Sequence, residues 1–151
     1  MTSTRRQRLA DLFPGANRRT TTTVNGMGLK HSTIRIDVTA TTADVAIFAA
    51  RGDCAVLGVY FVPEVAVTAD GANKWVIAVT NRGTDGLGTT QFGTSFDTST
   101  TALVKHDLAT LANPAAETIA LNGTVFSLDA TETGAVTLRG LIIVEYESLV
   151  S

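Results

Sequence analysis

Residues 56–88, VLGVYFVPEVAVTADGANKWVIAVTNRGTDGLG, read as two buried β-strands joined by a turn and followed by a glycine-rich loop. Cys54 to Val62 is almost continuously apolar, as expected of a strand covered on both faces at the centre of a sandwich. Pro63 cannot donate to a ladder, so it forces an edge, a bulge or a bend. Ala69-Asp70-Gly71-Ala72-Asn73 then turns the chain into a second strand, Trp75 to Val79.

The same alternation of short apolar strand, Asp/Asn/Gly turn and threonine-rich strand continues on either side. Ile34, Ile36 and Val38 alternate with Arg35 and Asp37, the period-two signature of a strand with one wet face. Val45, Ile47 and Phe48 follow, and Arg51-Gly52-Asp53 makes the next turn. Thr89 to Phe96 carries Phe92 and Phe96, with Gly93 marking a bulge or close packing. Leu103, Leu108 and Leu111 are the one place where helical spacing competes, and Asn113-Pro114 ends that segment. Thr118–Leu121 and Thr124–Leu128 flank Asn122-Gly123, a hairpin signal. Ala135–Leu138, Arg139-Gly140 and Leu141–Tyr146 close the sheet. The 25 threonines suit this architecture, because a branched Cβ is stiff on a pleated strand and the hydroxyl tolerates water. The expected fold is all-β: a single jelly-roll-like antiparallel β-sandwich over 33–151, preceded by an arm and linker over 1–32.

That arm is basic. Arg5, Arg6, Arg8, Arg18 and Arg19 against Asp11 give the first 19 residues a net charge of +4, while the remainder carries −6. Leu9, Leu12 and Phe13 ahead of Pro14-Gly15 read as one helical turn that docks and stops at the proline. A basic arm with apolar anchors suits docking on a protein better than neutralising nucleic acid. No apolar run approaches the roughly 20 residues that span a bilayer, and the N-terminal stretch has no apolar core of a secretory signal. The single cysteine, Cys54, excludes an internal disulfide.

Candidate chemistry is sparse. His31 and His106 lack flanking ligands at metal spacing and read as surface residues. Cys54 opens an apolar strand and reads as a buried thiol rather than a nucleophile. Residues 83–88, GTDGLG, lack the lysine and the following helix of a phosphate loop; Asp85 and Leu87 instead read as an oligomer or shell contact. Asp70, Asp85 and Asp129 read as loop carboxylates without calcium-loop spacing. Arg51-Gly52-Asp53 matches an adhesion tripeptide but is also ordinary turn chemistry. Trp75, Tyr60 and Tyr146 read as core rather than as a ligand platform. No catalytic residue, metal or cofactor is assigned.

The tract from Val56 to Thr98, with its Val-Pro strand end, its Asn-Arg-Gly and its glycine-rich loop, resembles small structural proteins of tailed bacteriophages. So does the ending Gly123 to Gly134, and the resemblance spans residues 54–147. It implies a capsid decoration (cement) protein, a trimer that binds the major capsid protein from outside the head. Such a protein is assembled in the host cytoplasm and resides on the virion, with no nucleic acid or membrane partner. The arm residues Arg5, Arg6, Arg8, Leu9, Leu12, Phe13, Arg18 and Arg19 would then hold the shell. Two rivals belong to other classes. A phage head-fibre or tail glycan-binding module needs exposed aromatics; a hydrolase needs an apolar cleft with a perturbed acid near His31 or His106.

Overall fold

The computed structural model describes residues 28–113 and 118–149. Ten strands follow one another: β1 (Leu29–Val38), β2 (Thr42–Ala49), β3 (Cys54–Pro63), β4 (Lys74–Gly83), β5 (Thr90–Gln91), β6 (Phe96–Asp97), β7 (Ala109–Ala112), β8 (Thr118–Ala120), β9 (Val125–Thr133) and β10 (Leu138–Ser148). No helix occurs among the described residues. Two antiparallel sheets pack face to face. One has the order β1-β10-β3-β7, with β8 also on β3; the other has β2-β9-β4-β5, with β6 also on β4. The short strands share an edge in pairs: β8 covers Cys54–Val56 and β7 covers Val59–Phe61. Similarly, β5 and β6 lie along different parts of β4.

The core lies between the sheets, where the inward positions of each strand are apolar. Val56, Val59 and Phe61 of β3 meet Trp75, Ile77 and Val79 of β4 and Phe126, Leu128 and Ala130 of β9 in one buried cluster. β3 is buried along most of its length, as its unbroken apolar run predicts. Trp75 is fully buried, and Thr98 clamps its backbone: the Trp75 N–H donates to Thr98 Oγ1 (2.8 Å) and the Thr98 N–H donates to the Trp75 carbonyl (2.9 Å). The buried Trp75 indole N–H has no acceptor among the described residues, a cost of about 1–3 kcal/mol that the burial of so large a ring offsets.

Several local readings change in the folded chain. β3 and β4 are not neighbours in one sheet; the segment between them crosses from sheet to sheet. Asn122-Gly123 does not close a hairpin, because β8 pairs with β3 and β9 pairs with β2 and β4. The turn is real, and Gly123 adopts φ +90°, but it links two sheets. Leu103–Leu111 forms no helix: Leu103 pairs with Val67 in an isolated bridge and the chain then enters β7. Arg139-Gly140 sits inside β10 rather than between strands. β1 includes Leu29–Ser32, the end of the stretch read as linker.

Tyr60 belongs to the outer face of the first sheet, beside Ile143. Its phenol lies over Gly58, and burial, then Glu145, push its pKa up. Ion pairs border that face: Arg35 donates twice to Glu64 (2.9 and 2.8 Å), and Arg139 donates to Asp37 (2.9 Å). They are solvent-facing, so water and salt screen them and each contributes little to stability.

Candidate functional site

The two ends of the sandwich differ. Across one end, Leu29, Glu147, Ala55 and Ile119 form a row of the first sheet, and Ala49, Val125 and Gly83 form the matching row of the second. Among the described residues, five of the eight exposed large apolar side chains gather here: Leu29, Leu87, Ile119, Leu121 and Leu149. The remaining three, Val65, Val104 and Leu108, lie at the opposite end. The arm joins the sandwich at the first of these ends, through Gly28 and Leu29.

A cleft of about 930 Å³ opens at this end, between the edge strands β1 and β2. Its cause is visible in β1. The inward positions run Lys30, Ser32, Ile34, Ile36, opposite Tyr146, Val144, Ile142 and Gly140. Ile34 and Ile36 fill the space between the sheets, whereas Lys30 and Ser32 do not, so the sheets part where β1 begins. The cleft is backed by Phe48 and Tyr146, whose ring centres are 4.9 Å apart. Lys30 reaches across to donate from Nζ to Ser148 Oγ (2.8 Å).

Two turns and the end of β10 border the cleft and are tied together. Gly52 at φ +122° gives the Arg51-Gly52-Asp53 turn its shape, and its N–H donates to Asn122 Oδ1 (3.0 Å). The Asn122 N–H donates to Asp53 Oδ1 (2.9 Å), and the Leu149 N–H donates to the Asp53 carbonyl (2.9 Å). One oxygen of Asp53 is therefore engaged inside the turn, while Arg51 is exposed. Cys54 sits at the base of the cleft with 3% exposure, and burial, then Asp53, push its thiol pKa up. A thiol held protonated and covered reacts slowly. A disulfide reagent should leave native Cys54 unlabelled and modify it promptly in denaturant; equally fast labelling in both states would show that the cleft opens to its floor.

The glycine-rich loop is rigid and closes on itself. Gly83 N–H donates to Asn81 Oδ1 (2.9 Å), Leu87 N–H to Asp85 Oδ1 (3.0 Å) and Gly88 N–H to the Arg82 carbonyl (2.8 Å). These amides are spent within the loop and do not form a cradle for phosphate. Gly88 rests on the Asn81–Arg82 backbone, where a Cβ would come within 2.7 Å of main-chain atoms. What the loop presents is Leu87, 79% exposed.

Arg82 anchors that loop to the sheet. Its guanidinium donates to Ser127 Oγ (2.8 Å) and to the Gly88 carbonyl (3.2 Å), and it pairs with Asp129 (3.3 Å) and with Asp44. Thr80 donates to the second Asp129 oxygen (2.8 Å), and the Asp44 N–H donates to the first (2.9 Å). Asp129 is thus a strand residue in a polar network, not a loop carboxylate. Sequence reading missed this network because its members come from β2, β4 and β9 and share no local motif. Asp70 remains a turn residue: the Asn73 side chain and the Ala72 N–H hold its carboxyl below the ordinary range, so its oxygens already serve the turn.

Among the predicted site residues, Asp85 and Leu87 fall on the loop at the apolar end. Arg5, Arg6, Arg8, Leu9, Leu12, Phe13, Arg18 and Arg19 lie outside the described residues. His31 and His106 are exposed and far apart: His31 has Glu145 at 3.7 Å, while His106 lies near Glu64, whose carboxyl Arg35 first and His106 to a smaller degree hold below its ordinary range. Among the described residues no three His, Cys, Asp or Glu side chains gather as a metal site, and no helix is long and apolar enough to cross a membrane. Comparison of the chain with protein-family models, with curated proteins and with solved structures returns no match, so its fold and chemistry stand on its own residues.

Proposed function

We propose that this chain is a virion structural protein, a capsid decoration protein that self-associates and binds the major capsid protein from outside the head. The observation that carries this reading is where the arm joins the body. A +4 arm with apolar anchors leaves the end of the sandwich that bears five exposed large apolar side chains, on a body of net −6. One end therefore concentrates what an assembly protein needs: apolar contact area, a cationic tether and rigid loops. The strand orders also support a jelly roll. With each edge pair counted as one strand, the chain alternates between two four-stranded sheets except from β4 to the β5/β6 edge, the order that two nested Greek keys produce. Glycan binding has less support, since Trp75 is fully buried and Tyr60 and Tyr146 are half-buried.

Deleting residues 1–19 tests the proposal. The truncated protein should keep its β-rich circular dichroism and bind emptied phage heads at least about tenfold more weakly, the loss expected from removing several interfacial charges and apolar anchors. Undiminished decoration by the truncated protein would remove the arm from the mechanism.

A further inference from the structure

The cleft and the glycine-rich loop stand at the same end of the sandwich but on opposite flanks. The cleft lies on the β1/β2 edge, and the loop projects where β4 turns into β5, the far edge of the second sheet. We propose that the tip of this loop, Asp85-Gly86-Leu87, seats in the β1–β2 cleft of a second copy of the chain, so that identical subunits join head to tail into a closed ring. The inference rests on the reading of the chain as a self-associating shell protein and assigns the contact that builds the oligomer.

The chemistry of the two surfaces matches. Leu87 is the most exposed large apolar residue described, and three hydrogen bonds already hold its loop in place. A pre-ordered apolar tip loses little conformational freedom on docking, which is what an anchor residue requires. The cleft offers Ile34, Phe48 and Tyr146 behind a rim that carries Lys30 and Arg51. Asp85, two residues from Leu87, brings a carboxylate to that cationic rim. The rim's own acid, Asp53, has one oxygen committed to the Asn122 N–H, so the two cations face the incoming charge. At about 930 Å³ the cleft has room for the loop tip and not merely one side chain.

Placement decides the symmetry. A contact between two different patches is heterologous; it closes when the operation relating the copies is a rotation without rise, and grows into a filament otherwise. Cleft and loop sit at one level along the strand direction, since Ala49, Val125 and Gly83 share a row beside the cleft-lining turn. In the proposed ring the copies keep their strand axes parallel, and joining the two flanks at one level is then a rotation about an axis parallel to the strands. It leaves the arm-bearing end of every subunit on the same side of the ring, where all arms reach one shell together.

The test uses two single variants and their mixture, read by light scattering and sedimentation. Leu87→Arg removes the apolar tip; Ser32→Trp plugs the cleft. Each should lower the mass of the oligomer to that of the monomer, weakening the contact roughly 30-fold or more. Mixed in equal amounts, the two variants should form a dimer and nothing larger, because only one intact tip–cleft pair remains. Asp85→Lys should weaken assembly, and combining it with Lys30→Glu and Arg51→Glu should restore it. The proposal is overturned if the parent chain is monomeric throughout, if Leu87→Arg keeps the oligomer, or if the mixture yields no dimer. It is also overturned if deleting residues 1–19 alone dissociates the oligomer, since the arm would then be the occupant of the cleft. Binding to emptied heads, measured on the same variants, separates this contact from the shell-binding role: heads still decorated by monomeric Leu87→Arg would leave that role standing.

Discussion

Gly140→Ala should destabilise the sandwich by about 3 kcal/mol, the upper end for an overpacked core, and Gly140→Val should prevent folding. Gly140 lies inside β10, between Ile36 of β1 and Pro63 of β3. A Cβ at this position would run into the Val62 carbonyl oxygen and come within 2.7 Å of the Phe61 ring. The carbonyl belongs to the neighbouring strand and cannot swing aside without breaking the β3–β10 ladder. Phe61 is fully buried in the central cluster, so its ring can shift only by displacing its packed neighbours. Urea unfolding followed by tryptophan emission provides the measurement, since Trp75 is the single tryptophan. A shift below about 1 kcal/mol would mean that β3 and β10 can separate at this point, contrary to the packing described.

Phe126→Ala should cost about 3–5 kcal/mol, the range for truncating a buried aromatic. Phe126 is fully buried and is the middle of an aromatic chain through the core. Phe92 meets it edge-on, with ring centres 5.4 Å apart and planes at 83°, and Phe48 packs against its other side at 6.1 Å. Phe48 in turn meets Tyr146 at the back of the cleft. Removing the central ring therefore costs its own burial and takes away one of the two rings that hold Phe48. The cleft should loosen with it, so Phe126→Ala should also make Cys54 label faster under native conditions. Phe126→Leu should recover part of the stability by refilling some of the cavity. If Phe126→Ala cost less than about 1 kcal/mol, the surrounding rings would have collapsed into the space, and the link from core to cleft would fail.

Where a residue's role depended on its immediate neighbours in the chain, the sequence was a sufficient guide. β3 and β4 were legible because continuous apolar runs between turn residues have few other solutions. Burial of Cys54 and Trp75 followed from the same runs. Asn122-Gly123 shows the limit. Its turn chemistry was legible, but hairpins and turns between sheets use the same backbone geometry, and only distant strands decide which forms. Leu103, Leu108 and Leu111 carried a helical spacing that Val67 overrides by pairing with Leu103. Gly140 looked like punctuation and is instead a point of close approach. The Arg82, Asp44 and Asp129 network left no local trace at all.

By itself, then, the sequence determined the class of fold, the central strands β3 and β4, the scarcity of chemical motifs and the contrast between a +4 arm and a −6 body. These follow from periodicity, turn chemistry and charge, which act over a few residues or sum over many. Only the tertiary structure decided which strands share a sheet, where the sheets part and which end carries the exposed apolar residues. The cleft exists because Lys30 and Ser32 of β1 happen to face Tyr146 and Val144 of β10, positions more than a hundred residues apart. Such juxtapositions are set by the pairing of the whole chain, since packing free energy is collected only when distant strands meet.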